Sequence, residues 1–485
     1  MPEYPAFVGG SYVAKSPIAA NARTVNFYCE RQDVGGGAPT DVLYPTPGVT
    51  LLDTAVASPG RAHFAQAGRE FAVIGPTFYE INSTGTLTSR GTVAIDSNPA
   101  TICSSGDSGG ELFITSGNNG YIFTLASNTF ALVRTGATTM GDYLDGFFLA
   151  LDAATSTLYL SNLNDGTTWD PTQYAQRSIA PDPWIAMKVW DRYIWLFGSE
   201  TSEIWYDAGT APFPFAPHPS GLVEMGCAAP FSPEIVAGAI MFLARNAEGT
   251  GSVMRAAGFT PEDVSTFPIH VALESYSTIS SAVGDAYELD GHSFYILTFA
   301  DEITWAYDAT VGPLPAAMRW TERGTWIAED NQFVAWRPLY HAFCFGQHRM
   351  LDRNSGALYQ LDANIYTDVD SRPIVRLRRP PAIPATDARL FVSEFEVGLE
   401  SGLGLQSGQG SNPQMSLRIS TNGGKTWGAE RDRSAGAVGQ YSTRVFWTRC
   451  GSARRGDAWQ PEIVVSDPIP WRITGANFRP SVQAR

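Results

Sequence analysis

Long apolar runs are missing from this chain: nowhere do the ~20 consecutive apolar residues that a membrane-spanning helix requires occur. The N-terminal Met1-Pro2-Glu3-Tyr4 also lacks the charged and apolar regions of a secretory signal. The expectation is a soluble chain made in a cytoplasm, with no membrane insertion. Cysteine is scarce and odd in number. Cys29, Cys103, Cys227, Cys344 and Cys450 lie far apart with no C-x-x-C pair, which argues for small buried hydrophobes over a metal or redox role. Charged residues are only 17% of the chain, and long helical periodicity is rare.

Turn formers and aromatics are abundant instead. With 47 Gly, 32 Pro and 12% aromatic residues, the composition is that of a well-packed, turn-rich β-protein and not of a disordered one. At 485 residues the chain is too long for one ordinary core unless that core is a ring of repeats, and a further domain is expected. The net charge of −15 is unevenly spread. From Arg372 onward 16 Lys and Arg stand against 9 Asp and Glu, about +7, which leaves about −22 for everything before. An acidic body does not hold nucleic acid by neutralising phosphates, so sequence-directed DNA binding is not expected of it. A wall past which DNA slides would benefit from being non-adhesive.

Residues 190–207 read as a β-hairpin, two arms rich in aromatic and β-branched residues around a polar turn that contains Gly198. Ile194 and Leu196 alternate with Tyr193, Trp195 and Phe197, so both faces of the first arm are apolar and need covering. The same grammar returns at 71–81, 112–123, 147–160, 240–254 and 294–307 and, more weakly, at 341–361. Taking Tyr79, Tyr121, Tyr159, Trp205, Met254, Tyr307 and Tyr359 as equivalent points gives steps of about 40 to 50 residues, the period of propeller blades. The predicted fold class is all-β, with a β-propeller of six or seven blades over 51–370.

An entry segment, 1–50, precedes it, with a Gly35-Gly36-Gly37 loop and Tyr44-Pro45-Thr46-Pro47-Gly48. Long connectors at 207–219, around Phe213 and Phe215, and at 308–320 are contact surfaces or covers for blade edges. The run Arg376-Leu377-Arg378-Arg379-Pro380-Pro381 alternates Arg with apolar residues. That predicts a strand with one solvated, basic face, ended by the Pro pair at a domain boundary. The β-patterned remainder, 371–485, suits a compact sandwich.

Few motifs point to chemistry. Ser420-Thr421-Asn422-Gly423-Gly424-Lys425-Thr426-Trp427 matches the Asp-box pattern with Asn in place of Asp, and 161–169 is a looser relative. This is a hairpin device in which the Asx side chain bonds the turn backbone and Gly takes the positive φ. His341 and His348 are too loosely spaced for a metal pair, and Asp362, Asp368, Asp370 and Asn364 lack the glycine and terminal glutamate of a calcium loop. No nucleophile elbow or phosphate-binding loop occurs. No catalytic, cofactor or metal-binding residue is therefore assigned. The densest basic and aromatic cluster is Arg444, Trp447, Arg449, Arg454 and Arg455, beside Phe446 and Trp459. It is a candidate interface, with single-stranded nucleic-acid stacking and a solvated strand face as alternatives.

Several segments resemble the packaged-DNA stabilisation, or tail hub (nozzle), proteins of short-tailed double-stranded-DNA bacteriophages. They are Asn26-Phe27-Tyr28 with Pro47-Gly48, the stretch 161–169, Phe197-Gly198 with Glu203-Ile204-Trp205, and 209–215. The closest part is the end: 420–427, 441–447, Arg449-Cys450-Gly451, Ala453-Arg454-Arg455, and Ile469-Pro470-Trp471 with Gly475-Ala476. The resemblance implies a structural virion protein of the phage tail, made in the host cytoplasm, with no cofactor and no catalytic residues. It further implies a hexameric ring below the portal-adaptor ring that closes the head after packaging and forms the DNA conduit, DNA passing without sequence-specific binding. Tail fibre, spike or needle proteins are further partners. On this reading the entry segment and the C-terminal domain pack together as a β-sandwich-like platform. Two rivals stand beside it: a propeller glycosidase acting on host surface polysaccharide, and a monomeric receptor-binding propeller.

Overall fold

In the computed structural model, Tyr79, Tyr121, Tyr159, Trp205, Met254, Tyr307 and Tyr359 each lie on the third strand of a different antiparallel blade sheet, six of them separate and that of Tyr307 continued into a larger sheet. The structure describes residues 1–483 except 17, 19, 33–39, 107, 108, 178, 246–250, 311 and 313; the Gly35-Gly36-Gly37 loop lies outside the described residues. Seven such sheets form the blades of a propeller. Their innermost strands, in order, are Gly60–Gln66, Thr101–Ser104, Met140–Leu144, Trp184–Trp190, Glu234–Val236, Val283–Leu289 and Pro338–Cys344. Strand Pro338–Cys344 of blade seven packs against Gly60–Gln66 of blade one, which closes the circle.

The alternation in the sequence explains the packing. Ile194, Trp195, Leu196 and Phe197 of blade four are all fully buried, because each face of a blade is covered by the next blade. Blades one and two share Phe71, Phe78, Leu112 and Phe123. Blades three, four and five share Leu149, Trp195, Phe197 and Phe242. Blades seven and one share Leu351, Leu358 and Ile74. At ~1.5–3 kcal/mol for each fully buried large apolar side chain, these shared clusters dominate the stability of the ring.

Blade seven takes its outermost strand from the other end of the propeller. Gly48–Thr54 pairs antiparallel with Ala357–Asp362, with Gly48 opposite Asp362 and Thr54 opposite Ala357. The ring is thus fastened by hydrogen bonds between residues some three hundred positions apart, so neither end can fray alone.

The sandwich draws on both ends of the chain. One sheet runs Phe27–Gln32, Thr40–Pro45, Ile473–Gln483, Arg389–Leu399 and Val445–Thr448. The facing sheet contains Asn21–Val25, Arg376–Arg379, Ala458–Val465, Gln414–Ser420 and Arg431–Ser434. Between them lies a core of Tyr4, Phe7, Phe395, Trp447, Trp459 and Trp471. The second sheet does not end at the sandwich. Asn21–Val25 pairs in parallel with Trp320–Ile327, the outermost strand of blade six, so blade and sandwich share one continuous twelve-stranded sheet. Helix is confined to Phe267–Ser275 and Ala316–Arg319 apart from one short turn at Val369–Ser371, among the described residues, and no helix is long and apolar enough to cross a membrane.

Candidate functional site: the ring axis, the seam and the basic edge

The axis of the ring holds a cavity of about 560 Å3. Its acidic and basic lining residues are His63, Asp142, Lys188, Glu234, Asp285 and His341, on six different innermost strands. Convergence of this kind is what an active site would show, so the partners of each group decide its role. Asp142 of blade three accepts from the backbone N–H of Val189 in blade four at 2.7 Å. Lys188 of blade four pairs with Glu234 of blade five at 2.9 Å. Asp285 of blade six accepts from the N–H of His341 in blade seven at 3.0 Å. His63 of blade one meets the Tyr340 carbonyl of blade seven at 2.9 Å and Glu70 at 2.8 Å.

Three further ties complete the circuit. Arg61 of blade one donates to Ser116 of blade two at 2.6 Å. Gly141 of blade three donates to Thr101 of blade two at 3.0 Å, and Gly284 of blade six to the Phe231 carbonyl of blade five at 2.9 Å. Every junction between neighbouring blades therefore carries a polar tie. Burial raises the carboxyl of Asp142 and pushes that of Asp285 up to about 7. Burial, aided by the neighbouring imidazoles of His348 and His63, holds His341 down at about 3.

At the seam, the strand that reads as a basic solvated face is the reverse. Arg376 and Arg378 are buried completely. Arg378 donates to the carbonyls of Ala6 at 2.8 Å and Phe7 at 2.5 Å and to Thr24 Oγ1 at 2.7 Å. The first residues of the chain curl around this guanidinium as a cage of carbonyl oxygens, something an Arg/apolar alternation cannot reveal. Burial lowers Arg376 to about 9 and Arg378 to about 10. Beside them, buried Glu322 of blade six accepts from Ser11 Oγ at 2.8 Å and from Arg23 at 2.5 Å. Asn26, at φ 57°, accepts from Gly324 N at 3.0 Å and donates to the Val375 carbonyl at 2.8 Å. One side chain thus bridges ring and sandwich.

The proposed interface cluster divides in two. Trp447 is fully buried in the sandwich core, and its Nε1 donates to the Arg431 carbonyl at 2.7 Å. It stacks on Phe395 and is a core residue, not part of a contact surface. Strand alternation decides this, since Val445 and Trp447 point inward while Phe446 and Thr448 point out. Arg444, Arg449, Arg454 and Arg455 are exposed. Arg444 is bound to Glu396 at 2.7 and 2.8 Å and lies over the Phe446 ring.

The remaining candidates take structural places. The Asp-box hairpin forms as its residues imply: Asn422 Oδ1 accepts from Thr426 N at 2.9 Å, and Gly423 and Gly424 take φ of 71° and 88°. Arg379 lies over the Trp427 ring. His341 Nε2 and His348 Nδ1 are 3.0 Å apart across the hairpin of blade seven, a proximity that register, not spacing along the chain, creates. Asp370 is held by Arg337 at 2.6 Å, and burial pushes Asp368 up to about 6. Among the described residues no three His, Cys, Asp or Glu gather in a way that could hold a metal ion. All five cysteines are buried and unpaired. The axial carboxylates Asp142, Glu234 and Asp285 carry no sequence signal beyond their place on innermost strands, and reading by motif passes them over.

Ring, sandwich and site together define a rigid all-β propeller whose axial and seam polar groups serve as internal ties. Two family models cover nearly the whole chain: the β-propeller of bacteriophage P22 Gp10 matches residues 7–366, and its β-sandwich matches residues 376–477. The chain belongs to the family of bacteriophage P22 Gp10, a structural protein of the phage tail. No curated protein matches it. Among solved structures it is similar to the N-terminal domain of Nup159 (11% identity, 65% of this chain and 95% of that one, TM-score 0.39). It is also similar to streptogramin B lyase (10% identity, 65% and 98%, TM-score 0.42) and to U3-55K (8% identity, 65% and 98%, TM-score 0.38).

Proposed function

We propose that this chain is a tail hub or nozzle subunit that docks below the portal-adaptor ring, closes the head after packaging and forms the DNA conduit as a homohexamer. The observation that supports this most is the continuous sheet that fuses blade six to the sandwich. A part that must hold against packed DNA needs its ring and its platform to move as one body, and a shared sheet supplies that. The conduit itself lies between copies. A cavity of about 560 Å3 is of small-ligand size, far too small to pass a duplex.

The action is mechanical, and DNA passes without sequence-specific contacts. The axial acids and bases that could act as catalysts are engaged in ties between blades, which supports a part that breaks no bonds. Tail fibre, spike or needle proteins are further partners in the virion, and the exposed Arg444, Arg449, Arg454 and Arg455 edge is the interface side of the platform.

The test is to make phage in which the chain is absent or carries Arg454→Glu and Arg455→Glu. Heads should fill normally and then lose their DNA, and imaging should find the chain directly below the adaptor. Filled, infectious particles without it would sink the proposal. So would release of oligosaccharide from bacterial surface glycans by the purified chain.

A further inference from the structure

We infer that copies of this chain associate head to tail, the basic sandwich edge of one docking on two acidic turns of blade six of the next. The inference rests on the ring-forming reading above and names the surfaces. At one end of the continuous sheet lies strand Arg431–Ser434, beside the edge strand Val445–Thr448 of the facing sheet. Trp447 Nε1 donates to the Arg431 carbonyl at 2.7 Å, and Arg431 and Arg433 donate to the carbonyls of Thr448 and Phe446 at 2.9 and 3.2 Å. These guanidinium groups cap the free carbonyls of the edge, which blocks strand addition and leaves side chains to make any contact.

Those side chains are uncommitted. Arg449, Arg454 and Arg455 are exposed and have no side-chain hydrogen bond or ion pair among the described residues. Phe446, 37% exposed, stands on the edge strand that Arg449 follows, while Tyr441, 74% exposed, stands beyond the other end of that strand, beside Gly402. Arg454 and Arg455 follow Ser452–Ala453, which pairs with the start of Arg389–Leu399. Arginine beside exposed aromatics is the composition of a protein interface. Carboxylates within the same patch, Glu394 and Glu396, pair with Arg479 and Arg444, and carboxylates are out of place on a phosphate-binding face. The observations thus favour an acidic protein surface over DNA.

Blade six supplies one. Asp301 and Glu302 sit in the turn before Thr304–Asp308, and Glu329 and Asp330 in the turn between Trp320–Ile327 and Gln332–Ala335. None of the four has a hydrogen bond or ion pair among the described residues. Ile303 and Phe333 both lie over Gly324, which brings the two turns side by side. Arg431–Ser434 lies five strands from Trp320–Ile327 in the same sheet, roughly 24 Å at ~4.8 Å per strand. The acidic turns and the Arg431–Ser434 edge therefore sit well apart on one continuous sheet and do not meet within a copy. Complementary faces held apart in this way make heterologous contacts, which close into rings when the rotation allows.

The test uses the full chain. In tails assembled from chains carrying both Arg455→Cys and Asp330→Cys, a short bismaleimide should link neighbours into a ladder of covalent multimers. Either cysteine alone should give none. In sedimentation, purified chain should self-associate at low salt and dissociate at high salt. R454E/R455E and E329R/D330R should each weaken association about tenfold or more, and mixing the two variants should restore it. Melting temperatures of the variants, unchanged from the parent, exclude misfolding. Tails that contain the chain but yield no ladder would overturn the inference while the tail-hub reading stands. Intact self-association of R454E/R455E with lost binding to a duplex DNA probe would also overturn it and assign the edge to phosphates. If the chain is absent from tails, the tail-hub reading fails, and the charge-swap sedimentation decides the contact by itself.

Discussion

Val25 stands opposite Glu322 in a short parallel rung, and Asn26 N, one residue on, donates to the Glu322 carbonyl at 2.9 Å. Through this rung blade six becomes the first strands of the sandwich. The buried groups around it, Arg378, Arg376, Arg23 and Asn26, are where stability and architecture meet.

Arg378→Met should destabilise the whole chain. It leaves the carbonyls of Ala6 and Phe7 and the hydroxyl of Thr24 without their donor, at a cost of ~1–3 kcal/mol for each buried group left unsatisfied. The expected outcome is a drop of several degrees in melting temperature, with faster proteolysis before residue 20. Unchanged melting would show that the carbonyl cage contributes nothing.

Ring closure rests on Gly48. A Cβ there would stand 2.5 Å from the Ile365 carbonyl oxygen and 2.6 Å from that of Thr367. Gly48→Ala should therefore push Gly48–Thr54 off blade seven and cost about 1–3 kcal/mol. Hydrogen exchange should show the loss first in Ala357–Asp362, and parent-like protection there would contradict the fastening role.

Asp285 sets a pH dependence whose sign is opposite to that of the usual paired carboxylate. Burial raises its folded pKa from 3.8 to about 7, so the folded chain binds this proton more tightly than the unfolded one. Stability from this group is fully present below about pH 4 and is lost as pH rises towards about 7, by at most ~4 kcal/mol. Asp285→Asn should flatten the profile of stability across that window. A variant profile parallel to the parent's would place the proton elsewhere.

Trp447 and the arginine pair separate core from surface. Trp447→Ala should cost ~3–5 kcal/mol as a core truncation, while Arg454→Ala with Arg455→Ala should change stability by ~0.5 kcal/mol or less. Denaturant unfolding of both measures the contrast, and similar losses would argue against the burial assigned to each.

Much of this fold was legible in the sequence. The seven aromatic and Met markers all fall on third strands, because each blade repeats one need: a strand apolar on both faces, followed by a strand carrying a large side chain. The hairpin at 190–207 forms as Tyr193–Gly198 and Ser202–Asp207, and the Asp-box hairpin forms as its Asx and Gly residues imply. Partners remote in the chain were not legible. Nothing local to Gly48–Thr54 says that its neighbour is Ala357–Asp362, and the Arg-rich strand 376–379 looks solvated because its carbonyl cage comes from residues 6–24. Trp447 misled for a related reason. Clustering along the chain is not clustering on a surface, because the alternation of a strand sends successive residues to opposite sides.

The shared sheet has a last consequence. Two regions that a sequence would divide at residue 371 have no hinge between them, so a push on the sandwich arrives at the wheel undiminished, carried by backbone hydrogen bonds instead of a flexible link. Pulled in an optical trap, such a molecule should yield in one large step that takes blade six and the sandwich together, because the material has no weak joint at which to part first.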